Sequence, residues 1–447
     1  MAEPRTAEDE VVSFASELIQ IDTSNYGGGS CAERPAAEYV ASQLGDAGIE
    51  AKVLESAPGR ANVVARVTGS SPSLPGMLVH GHLDVVPAEP SDWTVHPFSG
   101  EVRDGVVWGR GAIDMKNMVA MMVAVARAWA RDGRPPQRDV VFAFTADEED
   151  SAAAGADWLV RHHAELFEGC TEGISESGAY TFHAGNGVRL YPIGAGERGT
   201  AWLDLVARGT AGHGSRVNRD NAVAALAAAV ARIAEYEWPV RLTPTVRAAL
   251  VSIGAAVGVD IDPDSPGFDA DAVLAQLGSA RRLVESTVRN STNPTMLSAG
   301  YKVNVIPGVA SGRVDGRVLP GTEDEFESVL DELTGPAVEW GYYHRETPLS
   351  APVDSPTFAA MSAAVKAEDP GAYVVPVCMA GGTDAKQFSR LGIVGYGFAP
   401  LLLPPEFDYH ALFHGVDERV PVEALQFGVR VLDRFLSSVS KESRAGS

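Results

Sequence analysis

The 447-residue sequence predicts an α/β protein built on a mostly parallel sheet and interrupted by a ferredoxin-like α+β insert. Three observations carry that reading. Apolar runs of strand length alternate with helix-length amphipathic stretches in the first part of the chain; near Gly199 the run TAWLDLVARG switches to the in–out alternation of a half-exposed strand; after Pro352 the first pattern returns. The expected division is therefore 1–197 for the first part of the larger domain, 198–349 for the insert and 350–447 for the second part.

In chain order, Phe14, Leu18 and Ile19, then Ala36, Tyr39, Val40 and Leu44, have the spacing of two helices closed by Gly45 and Gly48. Ala61 to Val67 and Met77 to Leu83 read as strands, Met115 to Ala130 as a helix ended by Asp132-Gly133, and Val140 to Thr145 as a further strand. This strand–helix alternation predicts a sheet covered on both faces. In the insert, a strand at TAWLDLVARG, a helix over Asn221 to Tyr236, strands around Met296 to Val303 and Gly312 to Leu319, a helix from Glu323 to Leu333 and a strand near Val338 to His344 make the order βαββαβ. The long segment containing VDIDPDSPGFDAD, between the first helix and second strand, reads as a surface excursion. The chain closes on the helical pattern PVEALQFGVRVLDRFL, with Pro421 suited to its first turn.

Composition narrows the function classes. A net charge of −23, from 59 acidic and 36 basic residues, disfavours nucleic acid and anionic membranes as partners. No apolar run approaches the roughly 20 residues that span a bilayer, and MAEPRTAEDE lacks the features of a signal peptide, so a cytoplasmic location is expected. Cys31, Cys170 and Cys378 are scattered without a CxxC pair, which argues against a disulfide framework or a thiolate metal site.

The chemistry concentrates at strand ends. In MLVHGHLDVVP, Leu78, His80, His82 and Asp84 share one face of an extended chain. GRGAIDMK brings Asp114, and FTADEED brings Glu148 and Glu149, each one strand-plus-crossover unit further on. In open parallel sheets such positions converge in the crevice at the carboxyl ends of the strands. Carboxylates gathered there without a nearby Lys or Arg repel one another, so a divalent cation is the economical explanation. Imidazole and oxygen ligands without thiolate suit zinc, cobalt or manganese in a catalytic site. GAGERG, from Gly194 to Gly199, matches a dinucleotide fingerprint in form, but strand alternation follows it where a helix is required, so these glycines read as the hinge into the insert.

HGHLDVVP, DWTVHPFSGEVRDGVVWGRGAIDMK, TADEE, AGHGSRV, GGTDA and FHGVDERVP stand in the order found in the dinuclear zinc metallopeptidases that include aminoacylase, glutamate carboxypeptidase, carnosinase and succinyl-diaminopimelate desuccinylase, which this chain resembles over most of its length. The resemblance implies a zinc-peptidase-like catalytic domain carrying a lid and dimerisation insert, and two divalent metal ions per chain. It implies His82, Asp114, Glu149, Glu176 and His414 as metal ligands, with Asp114 bridging and Asp84 orienting the His82 ring. Glu176 lies in ISESGA where the family has Glu-Gly-Gly, leaving Glu172 as an alternative; His410, four residues before His414, is the alternative imidazole, and His80 is expected either to support the metal site from behind its ligands or to pack. Glu148 resembles the general base, His213 the lid histidine that meets the oxyanion, and Arg317, Asn304, Gly382 and Thr383 the substrate contacts. The expected activity is hydrolysis of an amide bond in a dipeptide or small peptide-like substrate with a free carboxylate, by a homodimer. N-acyl amino-acid deacylation is the alternative within the enzyme class, and a non-catalytic metal-binding relative is the alternative outside it.

Overall fold

The computed structural model describes residues 6–71 and 73–438. A ten-stranded sheet forms the larger domain in the order Ala51–Ala57, Arg60–Val67, Val140–Thr145, Gly76–His82, Cys170–Ser175, Val394–Gly397, Arg189–Glu197 and Leu349–Ser350, with Phe182–His183 and Ala372–Met379 also paired to Arg189–Glu197. The four central strands, from Val140–Thr145 to Val394–Gly397, are parallel, while antiparallel strands flank them. Every residue of Gly76–His82 and Val140–Thr145 is buried, because helices cover both faces. Alternation divides the side chains between two cores: Met77 and Val79 face the helix Lys116–Asp132, and Leu78, Val141 and Ala143 face the helix Ala156–His162. The long helix stops where Gly133 turns left-handed (φ 60°), as its sequence predicts.

The insert has the expected βαββαβ order. Its four-stranded antiparallel sheet runs Ser291–Ala299, Val309–Val318, Gly199–Arg208, Val338–Arg345, and the helices Ala222–Glu235 and Glu323–Thr334 cover one face. Trp238 stacks on Phe326 at 5.0 Å in that core. The strand expected around Met296 to Val303 instead begins at Ser291 and ends before Gly300, whose φ of 68° makes the turn. Apolarity misled there, because Met296, Leu297, Tyr301 and Val303 are all exposed.

GAGERG opens no helix, in agreement with the sequence reading: Gly194 and Gly196 lie in the strand Arg189–Glu197 and Gly199 starts the next one. A Cβ on Gly194 would press on the Gly397 backbone at 3.0 Å, so close strand approach explains that glycine.

The segment read as a surface excursion is corrected by its packing. Its helix Pro244–Val257 lies against the strand Ala372–Met379, and Val246, Ala249, Leu250 and Ile253 are fully buried in the core of the larger domain. The acidic loop VDIDPDSPGFDAD hid this, since it joins the apolar face of that helix to a second one at Ala270–Gln276. Residues 244–288 thus pack with the larger domain although they fall within 198–349. Leu250→Ala should accordingly cost about 2–5 kcal/mol in denaturant unfolding, as for a core leucine; a loss under about 0.5 kcal/mol, normal for a surface site, would contradict this packing.

Candidate metal centre

Three neighbouring parallel strands deliver the polar cluster at their carboxyl ends. His82 ends Gly76–His82, Glu148 and Glu149 follow Val140–Thr145, and Glu176 follows Cys170–Ser175. Asp114 precedes the helix Lys116–Asp132, and His414 follows the short helix Tyr409–Leu412 with a left-handed backbone (φ 54°). Two triads result: His82, Asp114 and Glu176, and Asp114, Glu149 and His414, each with ligand atoms within 4.8 Å of one another. Asp114 belongs to both. Its Oδ1 lies 3.1 Å from His82 Nε2 and its Oδ2 3.1 Å from His414 Nε2, while Glu149 Oε2 is also 3.1 Å from His414 Nε2. Glu148 Oε2 stands 4.0 Å from His82 Nε2 and belongs to neither triad.

Orientation of the His82 ring differs from expectation. Nδ1 donates to the main-chain carbonyl of Asp84 at 2.9 Å, while the Asp84 carboxylate is 3.7 Å away. A carbonyl only accepts, so this bond fixes the proton on Nδ1 and leaves the Nε2 lone pair facing the carboxylates. The Asp84 carboxylate instead accepts from the backbone N–H groups of Glu148 and Glu149, each at 3.2 Å, and from Asn25 Nδ2 at 2.9 Å. It holds the loop that carries the two glutamates.

Behind that loop Asp147 has φ 66° and accepts from Arg60 (2.6 Å), Asn25, Ser151 and the Ala154 backbone. Glu33 completes the buried network by pairing with Arg60 at 2.7 Å. Glu418 does the same for Asp114: its carboxylate accepts from the backbone N–H of Gly111, Ile113 and Asp114 and pairs with Arg110 at 2.7 Å. The sequence reading assigned no role to Asn25, Glu33, Arg60, Asp147 or Glu418. Asp147 and Glu418 sat inside quoted motifs, while the other three come from distant segments with no local signal.

The electrostatics point to a cation. Burial, with the neighbouring Glu176 charge, raises the Glu148 carboxyl well above the usual range, and burial raises Glu176 to about 7. Burial disfavours a charged His82 ring, but the Asp114 and Glu176 carboxylates override it and raise its pKa; Asp114 and Glu149 raise His414 to about 10. Carboxylates and imidazoles packed this closely favour positive charge among them. Glu149 Oε1 is buried with no hydrogen-bond partner, which a protein interior rarely tolerates. A set of imidazoles and carboxylates without thiolate, with one carboxylate shared and one oxygen unpaired, fits two divalent cations of the borderline class.

The alternatives separate cleanly. Glu172 pairs with Arg138 at 3.0 Å, away from both triads, and His410 Nε2 meets the Tyr180 hydroxyl at 3.0 Å. His80 is buried against Phe388, its pKa lowered to about 3 by burial, which keeps the ring neutral. Of the expected substrate contacts, Arg317, Gly382 and Thr383 line one cavity with Glu148, Thr200 and Trp202, between the insert and the larger domain. Arg317 also grips Asp315 with both arms of its fork, at 2.7 and 3.1 Å. His213 and Asn304 are not among those lining residues. They lie on the exposed two-stranded ribbon of Gly212–His213 and Val305–Ile306, where Gly214 N–H donates to the Asn304 carbonyl and His213 Nδ1 lies 2.8 Å from Ser215 Oγ.

Known proteins supply the context. The chain matches the peptidase family M20/M25/M40 over residues 78–438. It is 27% identical over 388 residues to the human N-fatty-acyl-amino acid synthase/hydrolase PM20D1, across 84% of this chain and 76% of that protein. With aminoacylase-1 of Sus scrofa it shares 26% identity over 401 residues, across 88% and 87% of the two chains. The M20 family metallo-carboxypeptidase Sso-CP2 from Sulfolobus solfataricus has the same fold, with a TM-score of 0.69 at 17% identity over 96% of this chain and 99% of that one. The family match spans the insert and all five residues of the two triads, and the chain belongs to the M20/M25/M40 peptidase family.

Proposed function

We propose that this protein hydrolyses the amide bond of a dipeptide or small peptide-like substrate bearing a free carboxylate, with two zinc ions held by His82, Asp114, Glu149, Glu176 and His414. Metal-dependent amide hydrolysis is the activity of the class; the substrate, the metal and the residue roles are the proposal. The observation that carries it is the pair of triads sharing Asp114, with Glu148 beside them and in neither. Bound divalent cations would lower the pKa of water and polarise the scissile carbonyl. Glu148 takes the proton of the attacking water on its carboxylate and returns it to the leaving amine. Asp84 keeps Glu148 and Glu149 in register through their backbone N–H groups. Arg317, Gly382 and Thr383 hold the substrate in the cavity beside Glu148; Asn304, in the turn before Val305–Ile306 and outside that cavity, is the remaining proposed substrate contact. N-acyl amino-acid deacylation is the second reading, supported by the two relatives matched by sequence. A non-catalytic role is disfavoured by the presence of Glu148 in an open cavity. Cytoplasmic residence is part of the proposal, supported by three free cysteines; among the described residues no helix is long and apolar enough to cross a membrane.

A homodimer is supported by the insert surface. Met296, Leu297, Tyr301, Val303 and Val217 are exposed around the ribbon that carries His213, a group of apolar side chains suited to a second copy. His213 would then reach the oxyanion in the partner's site.

Three measurements test these assignments. Glu148→Gln should keep metal content while turnover falls about a hundredfold to ten-thousandfold; Glu149→Gln should lose metal as well, and the reverse pattern would exchange their roles.

Chelation should expose the electrostatics. Without cations, Glu176 holds its proton up to about pH 7, against 4.5 for its ordinary value, and His414 to about 10, against 6.5. At these two groups the folded chain then binds more protons than the unfolded one, so their contribution to stability falls as pH rises. The His414 contribution is complete below 6.5 and gone above about 10; that of Glu176 declines between 4.5 and about 7. The melting temperature in chelator should drop steadily from pH 5.5 to 8.5 and recover on adding zinc. A flat profile that zinc leaves unchanged would refute the cation sites.

Co-refolding equal amounts of Glu148→Gln and His213→Ala protein should restore about a quarter of wild-type activity, because about half the dimers are mixed and each has one complete site of two. No recovery after verified subunit exchange, or a strictly monomeric protein, would assign His213 to its own chain or to no role.

A further inference from the structure

Each crossing of the chain between the larger sheet and the insert carries a glutamate, and one ammonium serves both. Glu197 closes the strand Arg189–Glu197 just before the insert begins at Gly199, and Glu346 follows the last insert strand, Val338–Arg345. Lys386, only 4% exposed, puts Nζ 2.9 Å from Glu346 Oε2. Burial raises the Glu197 carboxyl to about 7, and the Lys386 charge opposes that rise. Burial would raise Glu346 as well, but the same ammonium outweighs it and holds that carboxyl below its ordinary value. Lysine is almost never so deeply enclosed without a partner, and its three N–H donors can face two carboxylates at once.

The ammonium also meets the loop Gly382–Thr383, which lines both the Glu148 cavity and an adjoining one walled by Tyr180, Pro192, Leu283 and Phe413. A Cβ on Gly382 would fall on Lys386 Nζ, so the ammonium lies directly against the Gly382 backbone. Thr383, the next residue, binds Glu197 through its backbone N–H at 3.0 Å and its hydroxyl at 2.7 Å. Ala380, Gly381 and Gly382 are exposed and offer almost no side chain to pack, so the position of the loop is left to Thr383 and Lys386. Glu346 lines the Glu148 cavity together with Thr200, to whose carbonyl its backbone N–H donates at 2.9 Å. Loop, crossings and cavity wall thus meet at one charge. Lys386 itself is on the lining of neither cavity and in neither triad, so it can influence a reaction there only through the groups it holds.

Resting on the hydrolase reading above, we propose that Lys386 is a positioning residue: its ammonium, held between Glu197 and Glu346, fixes the loop Gly382–Thr383 against the insert where that loop receives the substrate. Without the charge, Glu346 turns to water and Gly382 loses the group it rests on, while the bonds from Thr383 to Glu197 remain. The loop then keeps its fold but not its fixed place beside the insert. Substrate must order it on binding, a cost that falls on affinity and not on the chemical step.

Lys386→Met keeps the length of the side chain and removes its charge. The zinc-loaded variant should retain its zinc and raise KM for alanylalanine or N-acetylalanine at least tenfold, with kcat within about threefold. Lys386→Arg should recover part of the loss. Glu346→Gln should act in the same direction, and the double variant should be no worse than the more impaired single one, because both changes remove one interaction. Hydrogen exchange reads the loop without any turnover: amides of residues 380–386 should exchange at least tenfold faster in Lys386→Met, while those of the helix Lys116–Asp132 stay unchanged. Faster exchange in that helix as well would make Lys386 a plain stability residue and overturn the proposal. Unchanged exchange in the loop, a loss confined to kcat, or additive effects of the two substitutions would overturn it too. If the wild-type protein cleaves neither substrate while the loop alone exchanges faster in the variant, the anchoring of the loop is supported and the hydrolase reading alone fails.

Discussion

The shared position of Asp114 between two imidazoles is the contact on which the rest of the site depends. One carboxylate at 3.1 Å from both His82 and His414 couples two parts of the chain that are far apart in sequence. Everything around it is arranged to keep that carboxylate, and three others, from moving apart. Glu418 receives the backbone N–H groups of the Asp114 loop, and Asp84 receives those of the glutamate loop. These inner carboxylates have their own cations, Arg110 behind Glu418 and Arg60 behind Asp147 and Glu33. Neither guanidinium pairs with Asp114, Glu148, Glu149 or Glu176. Positive charge is therefore supplied at the back of the site and withheld from the front, which leaves the front carboxylates to be neutralised by what binds there.

The sequence made the front of the site legible and left its support obscure, for a physical reason. His82, Glu148, Glu149 and Glu176 follow strands whose apolar runs are easily recognised, and a parallel sheet brings such ends together without further information. Asn25, Glu33 and Arg60 come from a loop, a helix start and the start of the strand Arg60–Val67, and nothing in their local sequence announces a shared partner. Asp84 was recognised as part of the site but given the wrong bond. Side-chain alternation puts its carboxylate on the His82 face; it does not reveal that the Asp84 carbonyl lies closer to the ring. In the insert, the element order was legible because each helix and strand carries its own period. The packing of residues 244–288 was not, since their apolar face complements a strand, Ala372–Met379, more than a hundred residues later in the chain.

That same segment links the core to a cavity wall. Its buried face joins the core of the larger domain, while Arg282 and Leu283 border a cavity that adjoins the one lined by Glu148. A cavity wall made of core helices is held more firmly than one made of a surface loop, because its side chains cannot shift without opening the core.

The loop Gly382–Thr383, where the two cavities meet, is tied to the insert. Thr383 bonds Glu197 through both its backbone N–H, at 3.0 Å, and its hydroxyl, at 2.7 Å. Lys386 pairs with Glu346 at 2.9 Å. Glu197 and Glu346 lie at the two crossings between the larger sheet and the insert, the first before the strand Gly199–Arg208 and the second after Val338–Arg345. A side chain at Gly382 would displace the Lys386 ammonium from its place beside Glu346. Three bonds thus tie the loop to both crossings. Beside them, Arg317 and Trp202 on the insert line a common cavity with Glu148 on the larger domain.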